Sequence, residues 1–247
     1  MSEIERKNYK SLSRSEYSLV EFVVESELKV FTRKDMEKGL GFDRDKCYRL
    51  VSNLKEKDLL EVPVSGRYVL DIPNYDVSLY EVASGIYWPS YISFWSALSY
   101  HGLTDQLPRT VYVVNAQNSS EIEFRDHRID FVRFKPDYLF GYEKEDGFMA
   151  EPEKAVIDSL HLPRYSGGIT EVEKSLGEDL DFEKLEYYAE KMGISSVKKR
   201  LKYLLERKNL DNDLNVSGSY VKLDPSKGEG ERVKNCLIED NVYEGTE

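Results

Sequence analysis

Residues 32–70 read TRKDMEKGLGFDRDKCYRLVSNLKEKDLLEVPVSGRYVL, and the order of signals in this stretch decides the fold of the N-terminal part. Thr32 is a capping residue in front of a short helix, Arg33 to Lys38, which Gly39 and Gly41 stop and turn. Asp43 caps a further helix running to about Lys57, in which Cys47, Leu50, Val51 and Leu54 follow the i, i+3, i+4, i+7 spacing of a buried stripe. Leu59 to Val64 and Arg67 to Leu70 are β-rich runs around the turn Ser65-Gly66, which predicts a hairpin. Upstream, Ser15 to Glu27 places Leu19, Val20, Val23 and Val24 on one face of a first helix. Three helices followed by a hairpin is the order of a winged helix-turn-helix, and Asp71-Ile72-Pro73-Asn74 punctuates its end.

Charge sets this stretch apart. The 247 residues hold 35 basic and 46 acidic side chains, a formal net charge of -11. Residues 1–72 contain fourteen of each, leaving 21 basic and 32 acidic residues in 73–247, so all of the excess negative charge lies beyond residue 72. Lys29 to Lys57 alone holds nine basic against five acidic side chains. Segregation of this kind points to a nucleic-acid module attached to an acidic body. At about 150 residues per domain, the length suits one large domain or two modest ones. The organisation expected is a winged helix-turn-helix DNA-binding domain over 1–72, an α+β domain over 73–223, and a polar tail over 224–247.

If Cys47, Leu50, Val51 and Leu54 face inward, the opposite face of that helix carries Asp45, Arg49, Ser52 and Glu56, flanked by Lys46 and Asn53 on one side and Tyr48 on the other. Arg49, Ser52 and Asn53 are side chains that bond base edges in a major groove. Arg33, Lys34, Arg44, Lys46 and Lys55 suit phosphates, and Arg67 at the wing suits phosphate or the minor groove. Asp45 and Glu56 on the same face keep a different use open, a winged helix for protein contacts only.

Beyond the boundary, Ile92 to His101 reads as a helix ending at Gly102, Thr110 to Asn115 as a buried strand, and Gln117 to Ser120 as a turn. Glu121 to Arg125 and Arg128 to Phe134 alternate around Asp126-His127, a second hairpin. Phe148 to Ala150 is a short strand, and Pro152 suits the first turn of a helix continuing to Leu160. Pro163 to Gly168 is loop-like. Asp181 to Met192 and Ser195 to Arg207, joined by Gly193, are amphipathic and form a helical hairpin. This order favours an α+β fold, an N-terminal winged helix followed by a larger domain ending in a helical hairpin, over a doubly wound parallel sheet.

Three segments carry a family likeness. Residues 89–110, PSYISFWSALSYHGLTDQLPRT, closely resemble the central signature of AbiEi-type antitoxins, the transcriptional regulators of type IV toxin-antitoxin and viral-defence loci. Residues 151–158, EPEKAVID, resemble the family's proline-led helix, and Val197 to Glu206 its late helix ending in LLE. The resemblance implies a repressor that binds the promoter of its own operon. It implies also a C-terminal domain that counters a nucleotidyltransferase toxin as a functional partner, with direct contact between the two left open, as is a homodimer. Physically, Tyr91, Phe94, Trp95 and Leu98 recur at helical spacing and read as core; Arg109, a cation beside a strand entry, is the one residue there worth testing for a partner or nucleic-acid role.

Catalysis is the rival class. Asp130, Glu151, Glu153 and Lys154 supply the carboxylates and lysine of a metal-dependent nuclease, but their spacing does not place an acid and a lysine two apart on one strand. Acids at a helix start are already favoured by its dipole. His101, His127 and His161 share no metal-ligand spacing, and no phosphate loop or nucleophile motif is present. The expectation is therefore no enzyme, no metal and no cofactor. Cys47 and Cys236 form no disulfide framework, the first residues have no apolar leader, and no apolar run nears the roughly 20 residues of a spanning helix, which together predict a cytoplasmic protein without membrane contact.

Overall fold

The computed structural model describes residues 12–177 and 179–243. The beginning of the expected first domain, residues 1–11, and the end of the expected tail, residues 244–247, lie outside the described residues.

The chain opens with α1 (Arg14–Glu25), α2 (Arg33–Leu40) and α3 (Arg44–Glu56), followed by the antiparallel pair β1 (Leu60–Val64) and β2 (Arg67–Leu70). The caps are local chemistry: Ser13 with Glu16 and Thr32 with Asp35 form capping boxes, and Asp43 accepts from the Lys46 amide. Gly41, at φ 66°, closes α2 in the left-handed region, as glycine permits. Gly39 does not stop α2 but lies within it, where a Cβ would sit 2.2 Å from the Phe22 ring. Leu19, Val23, Phe31, Met36, Cys47, Leu50 and Leu54 make the common core of this part. Two positions on the predicted buried faces differ: Val24 is 38% exposed and Val51 is half-buried, because the core is narrower than each apolar stripe.

The body is a mixed six-stranded sheet with helices, an α+β arrangement. Its strands are β3 (Ser90–Ile92), β4 (Thr110–Asn115), β5 (Ser120–Phe124), β6 (His127–Arg133), β7 (Tyr142–Glu145) and β8 (Gly147–Ala150), in the order β5-β6-β4-β3-β8-β7. The β5–β6 hairpin turns on Arg125 and Asp126, both at positive φ, one residue earlier than the sequence suggests. The expected helix from Ile92 is shorter: Ser90, Tyr91 and Ile92 form the central strand, and α5 (Phe94–Tyr100) begins after Ser93. Tyr91 is therefore core from a strand and not from a helix. Strand pairing on both sides outweighs the helical spacing of its side chain.

Helix α4 (Leu79–Gly85) precedes the sheet, and α6 (Pro152–His161), α7 (Ile169–Lys174), α8 (Phe182–Met192) and α9 (Ser195–Arg207) follow it. Helix α6 is buried from Glu153 to Leu160, packed among α5, α8 and α9. The tail does not stay apart: β9 (Val221–Lys222), β10 (Glu231–Val233) and β11 (Ile238–Asp240) form a small sheet whose Cys236 and Ile238 enter the main core. Those few apolar residues suffice because the polar ones are satisfied: Tyr203 Oη donates to Asp240 and Asn241 bonds the Asp224 carbonyl. Among the described residues no helix is long and apolar enough to cross a membrane.

Candidate nucleic-acid interface

Burial of Cys47, Leu50 and Leu54 against α1 and α2 fixes the rotation of α3, so its other side faces outward. Arg44, Asp45, Tyr48, Arg49, Ser52, Asn53, Lys55 and Glu56 are all exposed there. The 13-residue helix carries four basic side chains, Arg44, Lys46, Arg49 and Lys55, against Asp45 and Glu56.

Tyr48, 47% exposed, has two of the basic groups against its ring. The Arg44 guanidinium lies 5.6 Å from its ring centroid and that of Arg33, arriving from α2, lies 6.0 Å away. Such cation–ring contacts stabilise by about 0.5–1 kcal/mol at exposed sites and hold the two guanidinium groups on one platform. Beside the platform runs a groove of about 380 Å³ bounded by Arg33, Lys34, Tyr48, Gly66, Arg67 and neighbouring residues. The structure thus gathers Arg33, Lys34, Tyr48 and Arg67 around one groove, with Arg44 beside it against the Tyr48 ring. Arg49, Ser52, Asn53 and Lys55 do not line it; they continue the exposed face of α3 along the helix.

Several of these groups have local commitments. Arg33 is also paired with Glu37 one turn on, and Lys46 is half-buried with its Nζ 3.6 Å from the Phe42 ring centroid. Ser52 Oγ lies 3.4 Å from Glu56 Oε1. Arg67 Nε donates to the Ile86 carbonyl at 2.7 Å, while its Nη2 has no hydrogen bond among the described residues. Burial raises the Cys47 thiol, so this side chain behaves as a small neutral apolar group inside the unit. Arg109 is exposed just before β4, and among the described residues it makes no ion pair.

Two of the three carboxylates considered for metal chemistry have other partners. Glu151 accepts from Tyr188 Oη and pairs with Lys184 at 3.4 Å, and Glu153 pairs with the same lysine at 3.1 Å and accepts the Asp181 amide. Asp130 sits on β6, cross-strand from Glu121 and Tyr112, and burial raises its carboxyl. Among the described residues no group of three His, Cys, Asp or Glu side chains is placed to hold a metal ion. His101 Nε2 lies 2.7 Å from the Ala150 carbonyl, a structural tie at the end of α5.

Sequence reasoning missed a buried polar network in the body. Lys154 and Asp158 on α6 form an ion pair shielded completely from solvent, and Asp158 Oδ2 also accepts from Tyr91 Oη at 3.0 Å and Ser93 Oγ at 2.7 Å. Burial lowers the lysine, opposed by its aspartate, and lowers His161 nearby. The available signal was the i, i+4 spacing of a lysine and an aspartate around the apolar run Ala155, Val156 and Ile157. It missed too the ties between the two parts: Arg125 Nε reaches Glu61 of β1 at 2.9 Å, and Lys29 pairs with Glu81 at 3.4 Å.

No protein-family model matches the chain, and no curated protein matches it in sequence. Among solved structures, the crystal structure of the RV2827C protein from Mycobacterium tuberculosis is similar over 94% of this chain and 92% of that one, with a TM-score of 0.59 at 16% sequence identity. At that identity the likeness concerns the fold alone.

Proposed function

We propose that this chain is a sequence-specific DNA-binding transcriptional regulator whose first 72 residues are a winged helix-turn-helix. The observation that carries the reading is the outward face of α3, where Arg49, Ser52 and Asn53 are exposed beside the Arg33–Tyr48–Arg44 platform. In this reading α3 enters the major groove. Arg49 and Asn53 read base edges, while Lys34, Arg44 and Lys55 meet phosphates. The Ser65–Gly66 turn approaches the backbone, and the acidic body suppresses non-specific association because it repels the same phosphates.

The likeness of residues 89–110, 151–158 and 197–206 to AbiEi-type antitoxins supports a narrower version. There the chain is a cytoplasmic autorepressor of a type IV toxin-antitoxin locus, with operator DNA as its partner and a nucleotidyltransferase toxin as its functional counterpart. It acts by binding and not by catalysis, a reading supported by the commitment of Glu151, Glu153 and Lys154 to neighbouring side chains. The test is a gel-shift titration on the DNA upstream of its own gene at two salt concentrations. Specific binding that weakens steeply as salt rises, through release of counterions from phosphates, is the expected result. A second reading, a winged helix used for protein contacts, is favoured by Asp45 and Glu56 on the same exposed face; in that case no salt-sensitive complex with DNA forms.

A further inference from the structure

The groove beside Tyr48 holds a hydroxyl that the fold does not use. A bridge between Phe31 and Tyr68, with the amide of each 2.9 Å from the carbonyl of the other, lays the approach to α2 alongside β2. The same pairing puts the Tyr68 ring 5.6 Å from that of Phe31, in the core of the three-helix unit. Tyr68 is therefore only 6% exposed, yet it lines the groove, and its hydroxyl has no hydrogen-bond partner among the described residues. A nearly buried hydroxyl in this position lacks a hydrogen bond that a ligand oxygen would supply. Burial raises the phenol and the neighbouring Tyr48 adds to this, so the group keeps its proton and acts as a donor.

The start of α2 lies on the same groove, through Thr32, Arg33 and Lys34. Thr32 is committed to the cap: its hydroxyl donates to the Asp35 carboxylate and accepts from the Asp35 amide. The Arg33 and Lys34 amides, in the first turn of the helix, have no acceptor among the described residues. Free amides at the positive end of a helix favour an anion. The lining has the matching sign, because its charged members among the described residues are Arg33, Lys34 and Arg67, with no Asp or Glu. Asp35 and Glu37 lie close by but outside the lining, the first on the Thr32 amide and hydroxyl and the second on Arg33. The three lining cations outnumber these two acids even with both charged.

We propose that this groove seats a single phosphate group, with the Arg33 and Lys34 amides and the Tyr68 hydroxyl donating to its oxygens and the Arg33 guanidinium supplying charge. A tetrahedral oxyanion presents acceptors in several directions, which suits donors that arrive from two elements, α2 and β2, and such bonds are charge-assisted. A phosphate of the DNA backbone and a free phosphate share this chemistry. The DNA source rests on the preceding proposal, whereas the seat itself is tested without DNA. A backbone phosphate is the same in every sequence, so the seat contributes affinity and orientation without base preference.

The test follows the Arg33 and Lys34 amides of the full chain in proton-nitrogen correlation spectra during titration with inorganic phosphate, with sodium chloride at matched ionic strength as control. Saturable shifts of both amides with phosphate and not with chloride are expected, with affinity weakened about tenfold in Tyr68→Phe, the scale of one hydrogen bond to a charged group. Because the hydroxyl has no partner within the described protein, the variant should unfold in urea at the wild-type midpoint. Shifts that chloride reproduces, or that Tyr68→Phe leaves unchanged, overturn the proposal. Gel shifts of both proteins then identify the source. Weakening by about tenfold on the upstream DNA and on unrelated DNA alike makes it a backbone phosphate. Phosphate shifts that depend on Tyr68 beside DNA binding that does not make it a free phosphate. Such shifts with no DNA complex in either protein uphold the seat and remove the preceding proposal.

Discussion

Arg67 Nε donates to the carbonyl of Ile86 at 2.7 Å, so the side chain that the sequence aims from the hairpin at DNA ties the hairpin to the end of α4. A carbonyl at a helix C-terminus lacks an intrahelical partner, and a guanidinium satisfies it while complementing the helix dipole. Arg67→Ala should therefore lower stability in urea unfolding by about 0.5–1.5 kcal/mol, the net value of one such bond. It should leave the salt dependence of DNA binding close to wild type. A slope reduced by a full unit would instead make Arg67 a phosphate contact.

Arg49 and Lys34 differ in kind although both are exposed cations. Arg49 projects from the face of α3 that the proposal places in the major groove, and Arg49→Ala should cost about 1–3 kcal/mol and relax preference at one base pair. Lys34 borders the groove by Tyr48, and Lys34→Ala should weaken all sequences alike and lower the salt slope by about one unit. Titrations on the upstream DNA and on point-substituted operators read both effects. Wild-type behaviour from both variants would remove α3 from the interface.

The elements legible in the sequence are those written in local chemistry. Thr32 before α2, Asp43 before α3, Ser65-Gly66 between β1 and β2, and Gly193 between α8 and α9 each act within a few residues, and each stands where the sequence places it. Tyr91 was misplaced because its neighbours in the chain favour a helix, whereas its conformation is set by β4 and β8. The groups on α3 could be named from periodicity, but their gathering around Tyr48 could not, because Arg33 arrives from another helix. The tail was illegible for a similar reason: Cys236 and Ile238 are sparse apolar residues that become core only against α9 and its surroundings.

Lys154 and Asp158 give a sharp stability prediction. Both side chains are fully buried, and Asp158 also holds Tyr91 of β3 and Ser93 in front of α5, so one carboxylate joins three elements. Asp158→Ala strands an ammonium in the core and leaves two hydroxyls without their acceptor. The expected loss is about 3–5 kcal/mol, as for breaking a buried pair from one side. The double variant Lys154→Met, Asp158→Leu should lose less, because no uncompensated charge remains. Urea unfolding of the three proteins decides it; Asp158→Ala close to wild type would mean that the pair carries little of the body's stability.

Glu16 predicts how the N-terminal unit responds to acid. It is almost fully buried on α1 and, although burial alone would raise its carboxyl, hydrogen bonds from Lys57 Nζ at 2.8 Å and from Ser13 outweigh this and hold it below the ordinary value. The native state thus binds its proton less readily than the unfolded chain. The stabilisation is fully present above the unfolded glutamate value of about 4.3, and it is lost as pH falls through the lower native value. Glu16→Gln cannot ionise and lacks this dependence. The gap in stability between wild type and Glu16→Gln, followed by urea unfolding from pH 7 to pH 3, should be largest near neutrality and close below the ordinary glutamate range. A gap that stays constant across that window would show that the Lys57 contact contributes nothing through the charge of Glu16.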